Sequence, residues 1–161
     1  MNQSNIQTGR VFQLNISPGG VPKLPVRHAF LRTSGLVGDD QRNKKVHGGS
    51  ERALCLYSLE RLQALQAEGH PVFAGAMGEN LTLSGLDWGQ VVPGVLLQIG
   101  KDVLVRVTRY TMPCASLTGC FMAGKIERVS QEKYPGWSRV YTEVLREGEI
   151  WVGDPVVVRE P

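Results

Sequence analysis

Apolar residues along this chain recur at roughly every second position in short runs broken by glycine and proline, and one segment alone carries helical spacing. The first run, Gly9 to Ser17, sets Val11, Leu14 and Ile16 among polar neighbours and ends at Pro18-Gly19-Gly20, as a strand entering a turn does. A second short strand is expected around Val26 to Phe30. A polar loop then runs from Gly35 to Ser50, holding Gly38-Asp39-Asp40 and His47-Gly48-Gly49, too rich in glycine and charge to be buried on its own account. Loops of such length in compact domains tend to carry function. Ala53 to Tyr57 reads as a central strand. Ser58-Leu59-Glu60-Arg61 then opens a helix, with Leu59, Leu62 and Leu65 spaced by three and Ala64 on the same side, and Gly69 followed by Pro71 stops it.

Beyond Phe73 the pattern returns to short pieces. Gly78-Glu79-Asn80 leads into Leu81-Thr82-Leu83, and after a turn come Val91-Val92 and Val95 to Ile99. Gly100 separates that run from Val103 to Val107, whose clean alternation predicts the second half of a hairpin. Near the end, Ile150-Trp151-Val152 and Val156-Val157-Val158 flank a Gly153-Asp154-Pro155 turn, two strand fragments that close the structure. Many short strands with one or two short helices imply a mainly β fold, a closed or partly closed barrel, because closure removes exposed sheet edges.

Composition narrows the function classes. A chain of 161 residues with 42% apolar content can bury one core without disulfides, so a single domain over residues 1–161 is expected. The formal charge of +3 is modest and acids are interleaved with bases, unlike the basic stripe of a nucleic-acid binder. Residues 1–10 lack the charged start and apolar run of a secretory signal, and no apolar stretch is long enough for a bilayer. A cytoplasmic location is therefore expected, with a small-molecule substrate and neither nucleic acid nor membrane as partner. The odd cysteine set, Cys55, Cys114 and Cys120, argues against a disulfide framework, and no CxxC, HExxH or Cys/His cluster suggests structural zinc.

Among residues able to do chemistry, Cys114 follows a strand in the segment Arg109-Tyr110-Thr111-Met112-Pro113-Cys114, where the chain emerges into a loop. Pro113 stiffens that turn and Arg109 adds positive charge, and both favour a fixed thiolate, a soft ligand for a sulfur-loving metal. The plainer alternative is packing as a small apolar residue, which is also the reading for Cys55 and, unless it resolves an oxidised partner thiol, for Cys120. His47-Gly48-Gly49, preceded by Lys44 and Lys45, offers amides that can cradle an anion or simply a turn. Glu79 and Asn80 can orient a ligand or cap a turn. Arg139, between Trp137 and Tyr141, suits an anionic or planar group, or else a surface stack on Trp137.

Taken in order, Gly38-Asp39, His47-Gly48-Gly49 with Ala53 to Tyr57, Gly78-Glu79-Asn80-Leu81, Pro113-Cys114 and Gly153-Asp154-Pro155-Val156 resemble the MOSC family. That family is named for the C-terminal domain of molybdenum cofactor sulfurase, and the resemblance runs from about Gly9 to Val158. It implies a barrel of the MOSC type holding a molybdenum cofactor (molybdopterin). Cys114 stands at the position that either ligates molybdenum or carries a persulfide, and His47, Asn80, Arg109 and Arg139 are implied to hold the pterin or its phosphate. The implied activity is an oxidoreductase acting on N-hydroxylated or other N–O compounds with an external redox partner. The alternative is a sulfur or cofactor carrier. The chain departs from the many relatives that read Arg-x-Pro-Cys, having Thr111 at that arginine position. It also lacks the aminotransferase-like pyridoxal phosphate domain of the full sulfurase, so a separate sulfur donor protein is expected for any persulfide.

Overall fold

A computed structural model describes residues 6–40 and 49–161. Its strands, in chain order, are β1 (Thr8–Ile16), β2 (Leu24–Val26), β3 (His28–Arg32), β4 (Gly35–Leu36), β5 (Leu54–Ser58), β6 (Leu81–Ser84), β7 (Leu96–Ile99), β8 (Val103–Tyr110), β9 (Val140–Arg146), β10 (Gly148–Trp151) and β11 (Pro155–Arg159). The large sheet runs β11-β7-β8-β9-β5-β6-β1-β2, and β11 pairs back onto β1. Seven strands therefore close into a barrel with β2 as an annex, and no barrel strand is left with a free edge along its paired length. A smaller sheet, β10-β3-β4, stands beside it.

Alternation explains most of these strands. Val103, Val105 and Val107 of β8 are buried, as are Leu97 and Ile99 of β7, and Gly100 turns the hairpin at φ 63°. The barrel interior is continuous with a core that includes Leu14, Leu56, Leu81 and Val156, each fully buried. One pair, β5–β6, is parallel and requires a crossover, which the helix Leu59–Ala67 supplies. Ser58 caps it by accepting from the Arg61 amide at 3.1 Å, Leu62 and Leu65 face the core, and Gly69 leaves it at φ 98°. No helix among the described residues is long and apolar enough to cross a membrane.

Two local expectations change, and one strand had no expectation. The strand anticipated over Val26 to Phe30 divides at Arg27 into β2 and β3, which belong to different sheets. Val91-Val92 forms no strand and follows a 3-10 turn over Trp88–Gln90. Strand β9 lacks the apolar alternation that would mark it, since Thr142 is wholly buried and Glu143 and Arg146 lie further along.

Candidate functional site

The site is assembled where β8, β9 and β5 lie side by side. The β8–β9 register slips between Val107 and Arg109, so Thr108 has no opposite residue and Arg109 comes to face Tyr141. Tyr141 in turn lies opposite Cys55 of β5. Directly opposed residues share a face, so Arg109, Tyr141 and Cys55 form a row across three strands. The Arg52 guanidinium lies over the Tyr141 ring at 5.7 Å. Burial pushes the Tyr141 phenol up to about 12; Cys55 adds to the rise, Arg139 and Arg52 oppose it, and Cys114 adds to it again.

Cys114 is thus close enough to Tyr141 for its charge to bear on the phenol. It is half-buried, packed on one side against the core, and stands in extended backbone at the start of a 3-10 segment, Ala115–Cys120. Its Sγ lies 2.8 Å from the Ser116 hydroxyl. Cys55 differs: it is fully buried, and loss of solvent pushes its thiol up to about 11 despite the opposing charge of Arg139. Cys120 is half-buried, donates to the Ala76 carbonyl at 3.4 Å, and has its thiol raised chiefly by burial.

The cationic candidates separate. Arg109 is exposed and pairs with the Glu51 carboxylate, while the Thr108 hydroxyl donates to the Glu51 carbonyl at 2.6 Å. Glu51 and Arg52 belong to a 3-10 turn over Ser50–Arg52. His47, with Lys44 and Lys45, lies outside the described residues. Arg139 is buried, not a surface residue, and donates to the Met77 carbonyl at 2.7 Å. The guanidinium groups on Trp137 are instead those of Arg128 at 3.9 Å and Arg61 at 4.5 Å.

Asn80 occupies a buried network beneath this row. Its Oδ1 accepts from the Cys55 amide at 3.0 Å, and its Nδ2 donates to Asp39 Oδ2 at 2.9 Å and to the Asn15 carbonyl at 3.3 Å. Asp39 Oδ1 also accepts from Lys23 Nζ at 2.6 Å and from the Ser17 amide at 2.9 Å. The Gly38-Asp39 and Gly78-Glu79-Asn80 motifs therefore meet, and the Asn80 side chain ties β5 to β1 and to the Asp39 loop.

Glu79, adjacent in sequence, is wholly buried, and no well-formed hydrogen bond reaches either carboxylate oxygen. Burial pushes its carboxyl up to about 7, against the pull of Arg139 and of nearby amides at Glu79, Gly75 and Met77. Arg139 Nε and the Thr111 hydroxyl are also buried without partners among the described residues. Sequence reasoning missed Arg52 and Tyr141. A cation three residues beyond the Gly48-Gly49 pair was the available signal for Arg52, whereas nothing local marks Tyr141 or the isolation of Glu79.

The family described as "MOSC domain" matches residues 43–157, a stretch that contains Cys55, Asn80, Arg109, Cys114 and Tyr141. This chain belongs to the MOSC domain family. The MOSC chain is 34% identical over 145 residues to protein YiiM of Escherichia coli (strain K12), covering 86% of this chain and 63% of YiiM. It is 32% identical to YflK of Bacillus subtilis (strain 168), covering 83% of this chain and 60% of that protein. The chain thus spans about three fifths of the length of these curated relatives. Among solved structures, YiiM from Geobacillus stearothermophilus superposes with a TM-score of 0.75 at 26% identity, covering 94% of this chain and 75% of that one.

Proposed function

We propose that this MOSC chain holds a molybdenum cofactor through Cys114 and acts as an oxidoreductase on N-hydroxylated or other N–O compounds, with electrons from an external flavin or iron–sulfur partner. The observation that carries the reading is the partly exposed Cys114 thiol in the segment after β8, within electrostatic reach of Tyr141, which faces Arg109 and has Arg52 over its ring. The donor set suits such a group. A soft sulfur ligand and the exposed Arg109 guanidinium both come from the end of β8 and the segment after it, and Thr111 Oγ1 and Arg139 Nε are buried polar atoms with no partner among the described residues. A Gibberella moniliformis protein that is 30% identical over 136 residues carries the name "Reductase", and this chain spans 24% of it.

When bound, the cofactor supplies the two-electron reduction that removes oxygen from nitrogen. Cleaving an N–OH bond in this way consumes two electrons and two protons and releases water. The chain's own residues bind and orient. Cys114 would supply the sulfur ligand, and Pro113 would hold its backbone. Arg52 and Arg109 would give charge-assisted hydrogen bonds to the cofactor's phosphate, which would compete with Glu51 at Arg109. Tyr141, with its phenol near 12, stays protonated at neutral pH and adds no negative charge beside an anionic ligand.

The test uses the whole chain isolated from a host that makes the cofactor. Elemental analysis for molybdenum, pterin fluorescence after oxidation, and turnover of an N-hydroxylated base are compared for wild type and Cys114→Ser. Metal and turnover are expected in the first and absent from the second, with circular dichroism unchanged. Undiminished turnover in the variant refutes the reading. Persulfide on Cys114 by mass spectrometry, with no turnover of N-hydroxy substrates, assigns the thiol to sulfur delivery instead.

A further inference from the structure

Away from the Cys114 row, a cleft of about 410 Å³ opens between β1, β2 and the turn after β10. Phe12 and Gln13 of β1, Val26 of β2, Arg27 and Trp151 are among the residues that line it. None of these residues belongs to the row of Arg109, Tyr141 and Cys55. The volume lies within the range of small-molecule clefts, roughly 300–1,000 Å³.

The walls of this cleft are large aromatic surfaces left in water: Phe12 is 47% and Trp151 49% exposed. Trp151 is nonetheless braced. Its indole stacks on His28 with centroids 4.3 Å apart and planes 23° from parallel, and His28 Nδ1 is held by Glu149 Oε1 at 2.5 Å. Its amide also donates to Asp154 Oδ2 at 2.8 Å. One face of the indole is therefore covered by His28 while Trp151 still lines the cleft. An exposed, rigidly held aromatic wall loses little side-chain freedom when a flat ring packs on it.

Among the described residues, Arg27 is the only ionisable one that lines the cleft, and no hydrogen bond or ion pair to its guanidinium forms among them. Of the acids nearby, Glu149 is engaged by His28 and Asp154 accepts from the Trp151 amide. Gln13 turns its amide nitrogen inward, to Asn15 Oδ1 at 2.6 Å and the Ala74 carbonyl at 3.1 Å. Aromatic faces attract cations as well as rings, but Arg27 repels a cation and pairs with a carboxylate.

We propose that this cleft binds a flat aromatic anion of the aryl carboxylate class, its ring packed on the exposed aromatic lining of Phe12 and Trp151 and its carboxylate on Arg27. The site is independent of the cofactor reading and stands whether or not Cys114 binds metal.

The test is an NMR titration of isotopically labelled whole protein with naphthoate and, separately, with neutral naphthamide. Saturable shifts of the Trp151 indole N–H and the Val152 amide are expected with naphthoate, which binds about tenfold more tightly than the amide, the difference one charge-assisted hydrogen bond makes. Arg27→Gln removes that preference, Phe12→Ala and Trp151→Ala weaken both probes, and Arg109→Ala changes neither. Equal binding of the two probes, or shifts that do not saturate, overturns the proposal. So does concentration-dependent shifting of the same signals without any probe, which assigns the aromatic face to a second copy of the chain.

Discussion

Replacing Glu79 by glutamine tests the electrostatics of the interior most directly. Glu79 has no exposed surface, its carboxylate oxygens lack well-formed hydrogen bonds, and its carboxyl rises from 4.5 to about 7. A raised pKa means the folded protein binds a proton that the unfolded chain releases, so this group's contribution is fully present below pH 4.5 and is lost as pH rises through about 7. A tenfold change in proton affinity is worth about 1.36 kcal/mol, so the loss across that window is on the order of 3 kcal/mol. Glutamine keeps the shape and cannot ionise. Urea denaturation of both proteins at a series of pH values, from below 4.5 to above 7, is expected to show a difference that grows with pH in favour of Glu79→Gln. A pH-independent difference refutes the reasoning. A gap of the opposite sign, with wild type gaining at high pH, shows that Arg139 holds Glu79 as a stabilising ion pair.

Asn80→Ala strips the Cys55 amide and Asp39 Oδ2 of a partner inside the protein, and a lower urea midpoint is expected, about 1–3 kcal/mol for each orphaned group. Arg109→Ala breaks an exposed pair with Glu51, so stability is expected to change by less than about 1 kcal/mol while molybdenum content falls, readable by urea titration and elemental analysis on the same preparation. Iodoacetamide followed by peptide mass mapping is expected to modify the half-exposed Cys114 well before Cys55, whose burial and thiol at about 11 protect it until the chain unfolds.

The elements legible in the sequence are those whose signal is local. The β7–β8 hairpin follows from period-two alternation around Gly100, and the helix Leu59–Ala67 from its Ser58 cap, leucine spacing and Gly69 stop. Many short strands with few helices pointed to a barrel, and the ordered motifs pointed to the family. Strand β9 was not legible, because Thr142 is buried on a strand whose hydrophobicity does not alternate. Nor was the fate of Arg139, which neighbours Trp137 in sequence but is drawn to the Met77 carbonyl 62 positions away.

Residue order alone is enough to say which segments alternate, where they turn, and that Cys114 follows a strand. It took the closed barrel to bring the Asp39 and Asn80 motifs together, to set Arg109 opposite Tyr141 through a slipped register, and to seal Glu79 from water. The two sets differ in range. Periodicity and turn chemistry act over a few bonds, whereas register, burial and the partner of a charge depend on which distant strands come to lie side by side.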